Sequence, residues 1–230
     1  MNKIALVTSV WSITVLYSRW SFAVNEDAST LVLPDGCRDL IVVRQNGKAD
    51  RWFFSDWDFR PRQVCVAAGQ QFFGYRLRPG LVLEHQALQS IEHETTDLHG
   101  AIPGLLKPDW DLLGAIDALS SGRYSVRQVA LQAGVTERTF QRYFKRAALP
   151  TPEYWRLLGR ARRAAARLNS SSSITDLAAE FEYSDQAHMT RDFKRWFGKT
   201  PNQLKQSPEV LAMLSHAGLG NWTGEHISTR

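Results

Sequence analysis

The stretch RTFQRYFKR, Arg138 to Arg146, sets cations and an amide around an aromatic seam, and HMTRDFKRWF, His188 to Phe197, repeats the arrangement about fifty residues later. As helices, each would carry Phe, Tyr, Trp or Met on one face and Arg, Gln, His, Thr or Lys on the other. That pairing suits a polyanionic partner. Arg can donate to guanine O6 and N7 together, Gln can pair with adenine N6 and N7, and Lys can meet a phosphate without reading sequence. Nowhere in the chain do a nucleophile, a base and an orienting group line up, so no enzymatic chemistry is expected.

The residues around the two stretches specify how they are held. In SVRQVALQAGVTERTFQRYFKRA, Ser125 to Ala147, Ser125 can cap a helix whose inner face is Val126, Val129 and Ala130, and Gly134 stands where that helix must turn sharply. Thr136 caps the next helix, with Phe140, Tyr143 and Phe144 inside. A tight helix-turn-helix needs a small residue at the crossing, a turn residue and an apolar anchor, and Ala130, Gly134 and Phe140 supply them. The second copy, ITDLAAEFEYSDQAHMTRDFKRWFGKTP from Ile174 to Pro201, has Ser173 or Thr175 as the first cap and Ser184 or Asp185 as the second. Leu177, Ala178, Met189, Phe193 and Trp196 or Phe197 face inward. The copies align at an offset of 48 up to the turn and 49 after it, which places one extra residue in the second turn.

Charge is distributed to match. Residues 1–106 hold 10 Lys+Arg and 11 Asp+Glu, whereas residues 107–230 hold 18 and 12, so the whole excess of the +5 chain lies in its second half. Cys37 and Cys65, 28 positions apart, form neither a zinc motif nor a disulfide scaffold, which fits a reducing cytoplasm. The first 23 residues loosely mimic a secretory leader, but their interrupted, β-branched run suits strands better, and no segment approaches the roughly 20 apolar residues of a membrane span.

The first hundred residues read as short strands: 31–37, 39–43, 51–54, 63–69, 72–77 and 81–85, with turns at Pro34-Asp35-Gly36 and 45–48. GAIPGLLKP, 100–108, marks a boundary. Beyond it the expected helices include one with Leu112, Leu113, Ile116 and Leu119 on a face, then 125–133, 136–147, 152–168, 174–181, 185–197 and 201–206, with a short helix and a frayed tail after 207.

Taken in order, VALQAGVTERTFQRYFKR, the linking EYWRLLGRARRAAARL and ITDLAAEFEYSDQAHMTRDFKRWFGKTP resemble the AraC/XylS family of bacterial transcription regulators over about 100 residues, roughly 107–206. The resemblance implies a cytoplasmic DNA-binding protein whose seven-helix domain sets two recognition helices into successive major grooves. One departure is Glu182, where the family's second turn normally has Gly; a non-Gly residue in a left-handed turn costs on the order of 1 kcal/mol. By residue-level match, Arg138, Gln141 and Arg142 in the first unit and Gln186, His188 and Arg191 in the second are the expected base readers. Thr136, Lys145, Thr190, Lys194 and Lys199 are the expected phosphate contacts. A linking helix of about 17 residues, about 25 Å at 1.5 Å per residue, would fix the spacing of the two units. Its Arg156, Arg160, Arg163 and Arg167 form a stripe equally suited to phosphates or to internal ion pairs.

LPDGCRDLIV (33–42) and GYRLRPG (74–80) resemble, over fewer residues, a β-rich domain found ahead of this DNA-binding domain, cupin-like in the family and used for effector sensing or dimerisation. No effector follows from it. Arg38, Arg76 and Arg78 could meet an anionic effector, but pairing with Asp35 and Asp39 to pin turns is the stronger expectation. Glu84, His85, Glu92, His93, Glu94, Asp97 and His99 lack cupin metal spacing, so neither metal nor cofactor is expected.

The expectation is therefore a two-domain α+β protein. Residues 1–104 form a small β-rich, cupin-like sensing or dimerisation domain. Residues 105–206 form an all-α seven-helix DNA-binding domain with two helix-turn-helix motifs, and 207–230 an extension. Double-stranded DNA is the expected partner, no membrane is, and RNA polymerase, a small-molecule effector and the choice between monomer and homodimer stay open. The competing reading is an enzyme with an appended DNA-binding domain, such as an alkyl-transferring repair protein with a reactive Cys37 or Cys65. Such fusions need a four-cysteine zinc site, which this chain lacks.

Overall fold

The computed structural model describes residues 16–83, 102, 104–171, 173–222 and 227–228. In the first half, period-2 alternation builds antiparallel strands. β1 (Tyr17–Ala23), β2 (Ala28–Val32), β3 (Arg38–Gln45), β4 (Arg51–Phe54), β5 (Arg62–Val66) and β6 (Gln70–Leu77) precede the helices, and β7 (Ile227–Ser228) follows them. One sheet runs β4-β3-β6-β1-β7 and a second pairs β2 with β5. β3 lies along β6 from Arg38↔Leu77 to Gln45↔Gln70, and β1 lies along β6 from Tyr17↔Leu77 to Ala23↔Gln71. The return of the chain end as β7 is parallel to β1, at Trp20↔Ile227. Gly74 faces Trp20 across the ladder, and a Cβ there would fall inside the indole ring, so only glycine admits this packing.

The expected strand at 81–85 is a correction over 81–83, residues 84 and 85 lying outside the described residues. Gly80, at φ +85, turns the chain away from the sheet, and Leu81 and Leu83 join a core with Leu40, Leu77, Ile102, Leu106 and Leu113. Only an isolated bridge, Leu83↔Leu106, remains of it among the described residues.

The second half holds α1 (Trp110–Ser120), α2 (Val126–Gln132), α3 (Glu137–Arg146), α4 (Pro152–Ala166), α5 (Ile174–Glu180), α6 (Gln186–Phe197) and α7 (Pro201–Lys205). α8 (Pro208–Ser215) follows in the C-terminal extension. Thus, among the described residues, seven helices lie between 110 and 205. α4 is 15 residues, about 22 Å at 1.5 Å per residue, slightly shorter than expected because Arg167 closes it as a C-cap. It touches α1, α2, α3, α6 and α8 and so forms the spine of the domain. Trp155, Leu158, Ala161 and Ala164 on its inner face are fully buried. Burial of a side chain such as Leu158 stabilises by roughly 1.5–3 kcal/mol.

The halves are packed together. Leu33 belongs to the helical core, Trp57 meets Trp155 edge-on at 5.4 Å, and the Tyr154 hydroxyl donates to the Asp58 carbonyl at 3.0 Å. Arg78 pairs with Asp117. The C-terminal extension closes the joint, with Leu219 N–H donating to the Asp35 carbonyl at 2.7 Å. The buried Arg162 guanidinium donates to the Leu219, Leu214 and His216 carbonyls and to Asn221 Oδ1.

Candidate nucleic-acid interface

Each helix-turn-helix unit is built by the same local chemistry. In the first, Ser125 and Gln128 form a reciprocal capping box on α2, and Thr136 Oγ1 accepts from Thr139 N–H to cap α3. In the second, Ser173 caps α5 and Asp185 caps α6, accepting from Asp176 and His188 N–H respectively. Both turns close with the same bond: Val135 N–H to Ala130 O at 3.0 Å, and Tyr183 N–H to Ala178 O at 2.9 Å. Both pass through a left-handed residue, Gly134 at φ +68 and Glu182 at φ +56. The first turn has four residues between its helices and the second has five, so the extra residue follows Tyr183, whose offset from Val135 is still 48.

The inner faces are closed. Phe140 and Phe144, in an edge-on pair at 5.0 Å, and Met189, Phe193, Trp196 and Phe197 are buried, with Tyr143 half-buried. What α3 leaves outside is Glu137, Arg138, Gln141, Arg142, Lys145 and Arg146. Gln141 donates weakly to Glu137 Oε1 at 3.4 Å, and Gln141 and Lys145 border a groove that runs to Arg156. On α6, Gln186, Arg191, Lys194 and Arg195 are exposed, while Thr190 and, beyond the helix, Lys199 are half-buried. Thr136 is exposed but already occupied as a cap.

His188 differs from the other expected base readers. It is half-buried, its Nδ1 lies 3.1 Å from Ser184 Oγ, its Nε2 lies 3.4 Å from Arg160 Nη2, and its ring meets Tyr183 edge-on. It is held by the protein's own side chains. The Arg160 guanidinium also donates to Asp192 Oδ2 at 2.8 Å and stacks 4.0 Å from the centre of the Tyr183 ring. Burial pushes the Tyr183 phenol well above its ordinary range. Among the other arginines of the α4 stripe, Arg156 pairs with Glu153 and Arg167 with Glu180, so internal ion pairing accounts for three of the four.

In the β-rich half, Arg76 bridges Asp35 and Asp39, each at 3.1 Å, and those carboxylates hold it charged despite burial. Arg38 donates to the Ser55 carbonyl and lies over the Phe54 ring. These arginines pin turns and strands. Glu84, His85, Glu92, His93, Glu94, Asp97 and His99 lie outside the described residues, and among the described residues no cluster could hold a metal ion. The Cys37 thiol is buried, and desolvation, then Asp35, push its pKa well up, the reverse of the activation an alkyl-accepting thiol needs. No helix among the described residues is long and apolar enough to cross a membrane.

Two capped helix-turn-helix units on one spine, with mostly basic outer faces, have the form of a DNA-binding module. Residues 129–207 match the family model described as a helix-turn-helix domain. No curated protein matches the chain. Among solved structures it is similar to ToxT from Vibrio cholerae, with 7% identity and a TM-score of 0.42 over 83% of this chain and 98% of that one. A ToxT structure with bound unsaturated fatty acid aligns with 6% identity and a TM-score of 0.40 over 85% and 97%. Likeness at these values does not extend to function.

Proposed function

We propose that the protein is a sequence-specific transcription regulator that sets α3 and α6 into adjacent major grooves of one DNA site. The observation that carries this reading is the matched pair of turns, Ala130–Gly134–Val135 and Ala178–Glu182–Tyr183, each delivering a capped helix with a buried aromatic seam and an exposed polar face. Arg138, Gln141 and Arg142 read bases in one groove, and Gln186 and Arg191 in the other. His188 reads a base only by leaving Ser184 and Arg160, so its contribution is smaller than its position on the helix suggests. Lys145, Lys194, Thr190, Lys199 and Thr136 meet phosphates.

The division into a sensing or dimerising unit at 1–104, a DNA-binding unit at 105–206 and an extension at 207–230 belongs to the same proposal, as does a cytoplasmic location. The packing of the halves through Trp57, Tyr154 and Asp58 supports a route by which the first could bias the second. Selecting bound sequences from random duplex DNA, with and without candidate small molecules, tests all of this at once. Recovery of a bipartite consensus about one helical turn in spacing is expected; enrichment of no sequence would refute it.

A further inference from the structure

Between the two helix-turn-helix units lies a pocket of about 570 Å³ that belongs to neither recognition helix. One wall is the loop and first turn leading into α2, with Arg123 and Tyr124; the other is the end of α5, with Phe181 and Glu182; the floor is Arg156, Arg160 and Arg163 of α4. Four arginines therefore converge on one concavity.

Their charges are not equally compensated. Arg156 is neutralised by Glu153 and Arg160 by Asp192, while the wall residue Glu180 is engaged by Arg167. Among the described residues Arg123 and Arg163 form no ion pair with a carboxylate, and Glu182, which acts on Arg163 through space, is the one lining carboxylate left to face them. The Nε atoms of Arg160 and Arg163 are buried with no hydrogen-bond acceptor. A buried guanidinium N–H without an acceptor is costly unless something supplies one.

The placement of Arg163 is built into the backbone. Gly122, at φ +74, lies directly against its guanidinium, and a Cβ at that position would occupy the Nη2 site, so glycine is required twice over. On its other side the guanidinium lies 5.7 Å from the centre of the Phe181 ring. A planar cation held between a glycine and a phenyl ring, with its Nε–H unanswered, is suited to an oxyanion that accepts in the guanidinium plane.

We infer that this pocket seats a phosphate group through Arg163 and Arg123. The same chemistry is offered by a phosphate of the DNA backbone and by a free phosphorylated small molecule. The backbone form rests on the DNA-binding reading above; the free form does not. Since the walls come from both units, an occupant fixes them relative to each other as well as adding affinity.

The experiment uses the full chain and its Arg163→Gln, Arg123→Gln and Glu182→Gln variants. Arg123 is exposed, so Arg123→Gln keeps the test valid should Arg163→Gln fail to fold. One arm measures duplex affinity against salt concentration. A backbone phosphate in the pocket predicts a slope smaller by about 0.9 for each arginine variant. The other arm measures the melting temperature in inorganic phosphate and in chloride of equal ionic strength. A free phosphate predicts that phosphate raises the melting temperature of the wild-type chain but not of the arginine variants, and that Glu182→Gln enlarges the rise. Either pattern supports the seat and identifies its source. Wild-type salt slopes together with wild-type phosphate responses in both arginine variants would overturn it, leaving the DNA-binding reading intact. A chain that binds no duplex at all fails that reading, while the melting arm still reports on the pocket.

Discussion

Gly134 and Glu182 occupy the same left-handed step of two equivalent turns, at φ +68 and φ +56, one with a residue that favours this conformation and one with a residue that does not. A Cβ at Gly134 would meet nothing within 4 Å, so its substitution probes backbone strain alone. Gly134→Ala is expected to destabilise by about 1 kcal/mol, and Glu182→Gly to stabilise by up to about 1 kcal/mol, the gain reduced by glycine's extra freedom in the unfolded chain. Denaturant midpoints at constant m-value check both. Equal and opposite signs to these would show that the turns are not equivalent.

The Arg160–Asp192 pair, with both side chains 9% exposed, ties recognition helix α6 to the spine. Removing one partner leaves a buried charge, and Asp192→Ala is expected to destabilise by about 3–5 kcal/mol. A double replacement by apolar residues of similar size should recover most of that stability. His188 loses its guanidinium neighbour in the Arg160 variants, so a changed base preference in the second half-site is expected even where stability is restored.

Arg142 and Lys145 stand close together on α3, both exposed, and are assigned opposite duties. Arg142→Ala is expected to relax discrimination by about 1–3 kcal/mol at one base position. Lys145→Ala should weaken every sequence alike and reduce the salt slope by about 0.9. Affinities across a panel of single-base operator variants separate the two; uniform losses from both substitutions would contradict the assignment.

Much of this was legible because its causes are local. Caps at Ser125, Thr136, Ser173 and Asp185, the glycine at 134 and the aromatic seams lie within a few residues of what they determine, so helix positions could be read from spacing, while the strain at Glu182 was expected only from the resemblance, as a departure from its turn glycine. The fate of the arginine stripe could not. Asp192 is 32 positions from Arg160 and Glu180 is 13 from Arg167, and only the fold brings them together. His188 likewise looked free on a helical face until the tertiary position of Arg160 claimed it. The lost strand at 81–85 has the same origin, since alternation fits a strand but the core around Leu113 recruits Leu81 and Leu83 instead.

Arg162 is buried and holds the C-terminal extension by three backbone carbonyls and Asn221. Arg162→Met should leave the Leu219 carbonyl and Asn221 Oδ1 without the donor they now have, at about 1–3 kcal/mol each where they stay dry, while Asn221 Nδ2 still serves the Leu214 and His216 carbonyls, and should release the extension from the Asp35 turn. Faster limited proteolysis beyond α8, with the recognition helices unaltered by circular dichroism, is the expected result.

His216, at that joint, is disfavoured as a cation by desolvation first and then by Arg76 and Arg162, so its folded pKa lies below the ordinary 6.5. The unfolded chain therefore binds the proton more readily. Its contribution to stability is fully present above pH 6.5 and declines as pH falls below it toward the folded value. The difference in melting temperature between wild type and His216→Gln should shrink or reverse on acidification; a pH-independent difference would remove His216 from the account.

The central claim is that α4 fixes two recognition helices for neighbouring grooves on one side of the duplex. Its most direct test inserts base pairs between the two halves of a selected site and measures the affinity of the full chain. An insertion of about 5 base pairs, half a turn of the roughly 10.5 base-pair repeat, rotates one half away and should abolish the contribution of the second unit, lowering affinity to that of a half-site alone. Undiminished affinity for the half-turn insertion would contradict the claim.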